Sequence, residues 1–290
     1  MSDRNDEGTA INFSAALRPE TPVTALPRAR GSLRVASARS PDCSRLRDLF
    51  QSGSLKILFP STAGRNDLLG VCINTAGGMT GGDRFDIAAE AATGSRLTLT
   101  TQAAERIYRS QDGEPGRLSS RITVGPGARL DWMPQETILF DRSCLRRKLD
   151  IRLADDASFL MVEPLVFGRA TMGERLRHID FRDDIRLTRG GSLIFADAIR
   201  LTGDASDLLG HAAVAKGAGA VVSLLYSAPD ADLFLPLLRD LMPPGGGVSL
   251  IRPGVLFARL LAKDSYLLRQ TLIPMMTLLH GGPLPKTWTL

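Results

Sequence analysis

A short phrase recurs along this chain, in which a glycine or small polar pair is followed by alternating apolar residues. It reads Gly31-Ser32-Leu33-Arg34-Val35, Gly53-Ser54-Leu55-Lys56-Ile57, Gly94-Ser95-Arg96-Leu97-Thr98-Leu99 and Gly127-Ala128-Arg129-Leu130-Asp131-Trp132. Asp156-Ala157-Ser158-Phe159-Leu160-Met161, Gly191-Ser192-Leu193-Ile194-Phe195 and Gly219-Ala220-Val221-Val222-Ser223 continue it. The later copies return at intervals of roughly thirty residues, a turn-then-strand unit of the kind that stacked β layers repeat. The interval varies, so the phrase sets a tendency and no strict repeat.

Between these phrases lie clear strands. From Leu145 to Leu153 the apolar residues Leu145, Leu149, Ile151 and Leu153 alternate with Arg146, Lys148, Asp150 and Arg152. That is the period of a strand with one wet face. Arg147 breaks the pattern. On the apolar face it must meet a carboxylate or reach a rim, because an unpaired buried guanidinium is costly. Helices are expected only near the end. One is capped by Asp230 or Asp232 and runs through Leu241, with Pro236 tolerable only in its first turn, and Pro243-Pro244-Gly245 stops it. A second spans about Asp264 to Leu279, before Gly281-Gly282. The chain therefore reads as mainly β with a small helical element. Residues 1–28 are polar, carry Pro19, Pro22 and Pro27 and show no hydrophobic period, which predicts a flexible N-terminal tail.

Several function classes are disfavoured by composition. The three cysteines, Cys43, Cys72 and Cys144, form no Cys-x-x-Cys pair, so neither a disulfide framework nor a zinc knuckle is indicated and a reducing cytoplasm fits. No apolar run is long enough to span a bilayer, and the first thirty residues lack a basic-then-hydrophobic leader. The net charge is +5, almost all of its positive part arginine. Arginine suits bidentate pairing with carboxylates and phosphates. These arginines are spread among nearly as many acids, without aromatic interleaving, which favours an acidic protein partner or a solvated surface over nucleic acid.

The residue sets for chemistry are thin. His178, His211 and His280 stand apart, with no spacing that aims two imidazoles at one ion, so each reads as an ordinary surface or core residue. Transient contact with a hard or borderline ion is left to carboxylates such as Asp83, Asp86, Glu136, Glu163 and Glu174, beside their plainer reading as solvated or ion-paired acids. No lysine follows a glycine, so the phosphate-binding loop of a GTPase is missing. Ser61 and Ser110 lie outside any Gly-x-Ser-x-Gly frame, and Cys72 and Cys144 have no neighbouring histidine. No catalytic set is recognisable. Gly77, Gly78, Gly81 and Gly82 sit in Gly77-Gly78-Met79-Thr80-Gly81-Gly82-Asp83 and predict a structural turn with positive φ or close backbone approach. The following Thr100-Thr101-Gln102-Ala103-Ala104-Glu105-Arg106 puts polar groups onto a strand whose Leu97 and Leu99 should pack. Gln135-Glu136 follows Pro134, which suggests a bulge or an edge. Thr100, Gln102 and Gln135 are thus candidates for a wet interior path, with a satisfied core hydrogen-bond network as the alternative.

Taken together, the glycine block, Leu97 to Ser110, Trp132-Met133-Pro134-Gln135-Glu136-Thr137-Ile138-Leu139-Phe140-Asp141, and Glu163-Pro164-Leu165-Val166-Phe167-Gly168-Arg169 with Gly173-Glu174 resemble the UreD (UreH) family of urease accessory proteins. The likeness runs from about Ala29 to the C-terminus; the tail before it has no family pattern. The resemblance implies a layered, helically wound β architecture with about two C-terminal α-helices, forming a single β domain over 29–290. It also implies a cytoplasmic, non-catalytic maturation factor that works with UreF and the GTPase UreG on apo-urease while nickel is inserted. No cofactor would be permanently bound, nickel would be in transit, and neither nucleic acid nor membrane would be a partner. The apolar run containing Leu272, Met275, Met276 and Leu279 is the candidate UreF contact, since methionine-rich helical faces adapt to partners. Two other classes compete: a β-helical enzyme acting on acidic polysaccharide and a nucleic-acid-binding β protein.

Overall fold

The computed structural model describes residues 27–61, 65–111, 113–169 and 172–289; of the expected tail over residues 1–28, residues 1–26 lie outside them. The chain opens with β1 (Arg30–Arg39), β2 (Ser44–Gly53), β3 (Leu55–Leu58) and β4 (Leu68–Asn74). It then passes back and forth between two sheets. β5 (Arg84–Ala91), β8 (Gly116–Val124), β11 (Cys144–Leu153) and β13 (Ile179–Arg189) lie in one, and β6 (Arg96–Thr101), β9 (Arg129–Met133) and β12 (Ser158–Phe167) in the other. The short β7 (Glu105–Ile107) and β10 (Thr137–Leu139) pair with each other beside β12. β14 (Ser192–Gly203), β15 (Ala220–Ser227), β16 (Gly247–Arg252) and β17 (Val255–Ala262) follow. The seven-stranded sheet has the order β14-β13-β11-β8-β5-β1-β2, and the ten-stranded sheet runs β16-β17-β15-β12-β9-β6-β4-β3 with β10 and β7 at its side.

This alternation produces parallel neighbours. β1, β5, β8, β11 and β13 pair in parallel within one sheet, as do β4, β6, β9 and β12 within the other. The chain is therefore wound helically through two facing layers, and the architecture is mainly β, as the sequence predicts. The recurring phrase marks the corner from the first sheet into the second at β6, β9 and β12. Successive corners are laced together: Gly94 N donates to Pro126 O (2.9 Å), Gly127 N to Asp156 Oδ1 (2.9 Å) and Ser158 N to Ala128 O (2.9 Å). One corner per coil explains the spacing of about thirty residues.

Burial follows the pleat. Leu33, Phe85, Leu97, Ile122, Phe159 and Phe181 belong to the apolar layer between the sheets. A second core covers the other face of the ten-stranded sheet, where Met133, Leu160, Val222 and Leu260 meet residues of the C-terminal helices. Besides the two expected helices there are two short ones among the described residues. α1 spans Ala205–Gly210, α2 Ala231–Asp240, α3 Ser265–His280 and α4 Lys286–Thr289. α3 starts at Asp264, whose carboxylate accepts from Leu267 N (2.8 Å), and ends at Gly281 with φ 69°. Among the described residues no helix is long and apolar enough to cross a membrane.

Three expectations are corrected. Leu272, Met275, Met276 and Leu279 are buried at 0–1 % exposure in the second core, so they do not form an open face for a partner. The outer side of the ten-stranded sheet is itself apolar and takes up that face of α3. Pro236 stands well inside α2, beyond its first turn. The carbonyl it leaves without a helical partner belongs to Asp232, an exposed residue whose carbonyl water can serve. Pro134 makes no edge: it ends β9 inside the sheet, and the expected irregularity follows it, since the chain takes five steps from Trp132 to Thr137 while β12 takes four from Met161 to Leu165.

Candidate functional site

Between the two sheets lies a cavity of about 260 Å³. Phe85, Leu118, Leu99 and Trp132 supply apolar wall, while Gly77, Gly78, Gln102, Glu105, Gln135 and Glu163 add polar groups. The glycine loop is shaped by contact. A Cβ on Gly78 would come within 2.6 Å of Arg106 O, and one on Gly81 within 2.3 Å of Glu114 O, too close for any side chain. Gly77 and Gly82 have φ of 76° and 83°. Met79 N donates to Arg106 O (2.8 Å) and Tyr108 N to Met79 O (2.7 Å), stitching this loop to β7 and the residue after it.

Arg147, the residue that breaks the alternation of β11, is buried and lines the cavity. It points between the sheets because its odd-numbered neighbours do. Its Nε and Nη2 donate to the two oxygens of Asp183 (2.8 and 2.6 Å), and its Nη1 to Glu163 Oε2 (2.6 Å) and Thr137 Oγ1 (3.1 Å). Trp132 Nε1 donates to Glu163 Oε1 (2.6 Å). Burial by itself would lower the pKa of Arg147, but Asp183 and Glu163 reverse the effect and keep the guanidinium charged. Burial also pushes the Glu163 carboxyl up; Arg147 opposes that shift and Asp183 adds to it. One guanidinium thus faces two carboxylates, which leaves this buried cluster one negative charge in surplus when both are ionised.

Nearer the loop, Glu105 accepts from Asn74 Nδ2 (3.0 Å), and the same amide donates to Gly78 O (3.0 Å). Burial raises the Glu105 carboxyl to about 7; the Asn74 hydrogen bond and Arg106 pull it down, and the charge of Asp83 pushes it up. Glu105 therefore exchanges its proton near neutrality. Gln135 Oε1 accepts from Arg269 Nη2, while Gln135 Nε2 is buried without a hydrogen-bond partner among the described residues. Burial pushes the Cys72 thiol on the same wall up to about 12, so it stays protonated and inert.

The five carboxylates singled out from sequence separate. Only Glu163 lines the cavity. Asp83 is buried and accepts from Ala29 N (2.7 Å) and Thr80 N (2.8 Å), closing the glycine turn. Asp86 is exposed on the outer face of β5. Glu136 is held by Arg269 through 2.7 and 3.0 Å contacts. Glu174 accepts from Arg169 Nε (2.9 Å) and from the amides of Asp141 (3.1 Å) and Arg169 (3.0 Å), which bind it into a loop. Thr100, Gln102 and Gln135 all lie along the cavity wall, although the Thr100 hydroxyl meets Thr287 Oγ1 at 3.2 Å. Sequence reasoning missed Glu105, Asn74 and Asp183. Asp183 had a usable signal, since it falls on the apolar positions of β13 as Arg147 does on β11. Among the described residues no group of three or more His, Cys, Asp or Glu side chains is placed to hold a metal ion.

A second polar cluster ties the end of α3 to the ten-stranded sheet. His280 Nδ1 lies 2.7 Å from Asp131 Oδ2 and its Nε2 3.2 Å from Arg65 Nη2. A guanidinium can only donate, so Nε2 accepts and Nδ1 carries the proton given to Asp131. Arg129 joins in through Asp131 (2.9 Å) and Leu279 O (2.8 Å), and Arg65 through Asp67 and Pro283 O.

Comparison with known proteins bears out the family resemblance. Residues 29–289 match the family model described as UreD urease accessory protein. A urease accessory protein UreD of Ruegeria sp. (strain TM1040) is 49% identical, covering 96% of this chain and 97% of its own. UreD proteins of Roseobacter denitrificans (46%, over 94% and 99%) and Agrobacterium fabrum (40%, over 98% and 99%) align at similar extent. On this match over nearly the whole chain, the protein belongs to the UreD family of urease accessory proteins.

Proposed function

We propose that this chain is a cytoplasmic, non-catalytic factor for inserting nickel into apo-urease, acting in a complex with UreF and, through UreF, the GTPase UreG. The observation that carries the reading is the cavity between the sheets, lined by the buried Glu163 and by Glu105 beside the glycine loop. A divalent ion leaving water needs oxygen ligands and negative charge along its way, and the second carboxylate of the Arg147 cluster, when ionised, supplies both. A carboxyl that titrates near neutrality can release its proton as a cation arrives and recover it afterwards. That suits transit better than storage, as does the lack of a multidentate cluster among the described residues.

For UreF, the exposed stripe of Leu233, Leu237 and Leu241 on and just after α2 replaces the buried face of α3 as the contact. These residues recur every four positions, which aligns them on one side of a helix. In a reconstituted activation assay, Glu163→Gln and Glu105→Gln should leave the complex with UreF intact while lowering urease activity and bound nickel. Leu237→Asp should weaken the UreF complex itself. Normal nickel loading with both glutamates neutralised together overturns the passage, whatever the outcome at Leu237.

A further inference from the structure

The outer face of the seven-stranded sheet carries an alignment that no stretch of sequence displays. In the strand register Arg30 is paired with Arg84, Arg84 with Arg117, Arg117 with Arg146, Arg146 with Arg182, and Arg182 with Arg200. Six arginines therefore stand side by side on six adjacent strands, all on the face turned away from the cavity. Five are exposed and Arg146 is half-buried. With strands about 4.8 Å apart, the row extends roughly 24 Å.

Neutralisation is sparse. Arg146 pairs with Asp180, and among the described residues no ion pair holds the other five. Asp180 senses the row: its carboxyl is held low first by the Arg146 hydrogen bond, with Arg182 and Arg200 adding to the effect. The next rung along the strands reads Ser32, Asp86, Ser119, Lys148, Asp184 and Ala198, with two acids against one lysine, and it separates the row from Arg34, Arg121 and Arg186 on the rung beyond. The larger helices α2 and α3 pack on the other sheet, leaving this face without a helical cover.

We propose that this arginine row is a docking strip for an α-helix of a partner protein that carries an acidic stripe. Carboxylates at successive i, i+3 and i+4 positions of a helix stand about 5 Å apart along its axis, close to the spacing between strands. Alternate residues of an extended segment, at about 6.7 Å, would fall out of step after two or three arginines. Such a helix would lie across the strands, and about sixteen residues would cover the row. Arg30, Arg84, Arg117, Arg182 and Arg200 can each grip a carboxylate through two parallel hydrogen bonds, while Arg146 is held by Asp180. Nucleic acid fits less well, because the two rungs contain no aromatic side chain for bases to stack on, and Asp86 and Asp184 would face a phosphate backbone.

The test is fluorescence anisotropy with the full-length chain and three probes: a helical peptide with glutamates in one stripe at alternating three- and four-residue steps, a scrambled peptide of the same composition, and a single-stranded oligonucleotide of equal charge. The striped peptide should bind most tightly and weaken as salt is raised. Arg117→Gln with Arg182→Gln should reduce its affinity at least tenfold and flatten the salt dependence. Arg34→Gln with Arg186→Gln, two rungs away on the same face, should change it less than twofold. Thermal melting verifies that each variant is folded, and Arg182→Glu alone serves should the double variant misfold. No binding of the striped peptide, equal or tighter binding of the scrambled peptide or oligonucleotide, or unchanged affinity in the row variants overturns the proposal.

Discussion

Arg146 and Arg147 are neighbours in sequence and face opposite environments. Arg147 enters the space between the sheets and holds two carboxylates, with a threonine and, through Glu163, a tryptophan completing the set. Arg146 turns outward into a row of like charges that is largely unneutralised. The difference lies in dielectric. In the interior the cost of an unpaired ion exceeds any hydrogen bond it can make, so a buried guanidinium comes with its counter-ions. On the wet face, water and salt screen arginines from one another, and the same residue type can be accumulated for binding.

This contrast predicts very unequal effects of substitution. The largest belongs to Arg147→Met, which strands Glu163 and Asp183 in the core and should cost about 3 to 5 kcal/mol in a urea or thermal unfolding experiment. Replacing all three members with apolar residues of similar volume should recover much of that loss. A single variant as stable as the parent would break the contrast outright. Asp183→Asn keeps the shape but removes the bidentate ion pair, and a loss of about 2 kcal/mol is expected.

Glu105 tests the interior through pH. Its carboxyl is raised from an ordinary 4.5 to about 7, so between those values the folded chain holds a proton that the unfolded chain has released. Stability contributed by this group must then fall as pH rises through that window. Glu105→Gln cannot ionise. Its stability relative to the parent should improve by about 1 to 3 kcal/mol from pH 5 to pH 8, toward the lower figure because the side chain keeps some contact with water. A pH-independent difference would show that the carboxyl titrates normally. The smallest effect sharpens the outer side of the comparison: Arg182→Gln should leave stability within about 0.5 kcal/mol at physiological salt. A modest gain at low salt would reflect relief of repulsion along the row.

Much of this arrangement is legible in the sequence where short-range pattern decides the outcome. The alternation over Leu145–Leu153 fixes which side of β11 is wet, and it marks Arg147 as needing a partner. Asp264 and Gly281 bracket α3 because capping is a local matter. What stays hidden depends on register or on what covers a face. The period of Leu272, Met275, Met276 and Leu279 identifies an apolar side of a helix, but the same pattern serves a partner or the chain's own sheet. Asp83, Glu136 and Glu174 look spare until the fold brings Ala29, Arg269 and Arg169 to them. Glu105 has no local signal at all; its environment is built by Asn74, Asp83 and the glycine loop. The six arginines lie in separate strands, and only in-register pairing makes them a row.

The clasp at the end of α3 has a consequence in time. Each coil of the winding closes over a few tens of residues, so the two sheets can assemble progressively as the chain emerges. Arg65 meets His280 across 215 positions, and that contact forms only after almost the entire chain is available. Closing so long a loop is entropically slow relative to adding a coil. Until then, the outer side of the ten-stranded sheet, with Leu160, Val222 and Leu260, waits uncovered for the helix that will seal it. The vulnerable interval in the life of this molecule therefore falls late in its synthesis, when most strands are paired but the apolar lid has not arrived, and association with other chains then competes with completion of the fold.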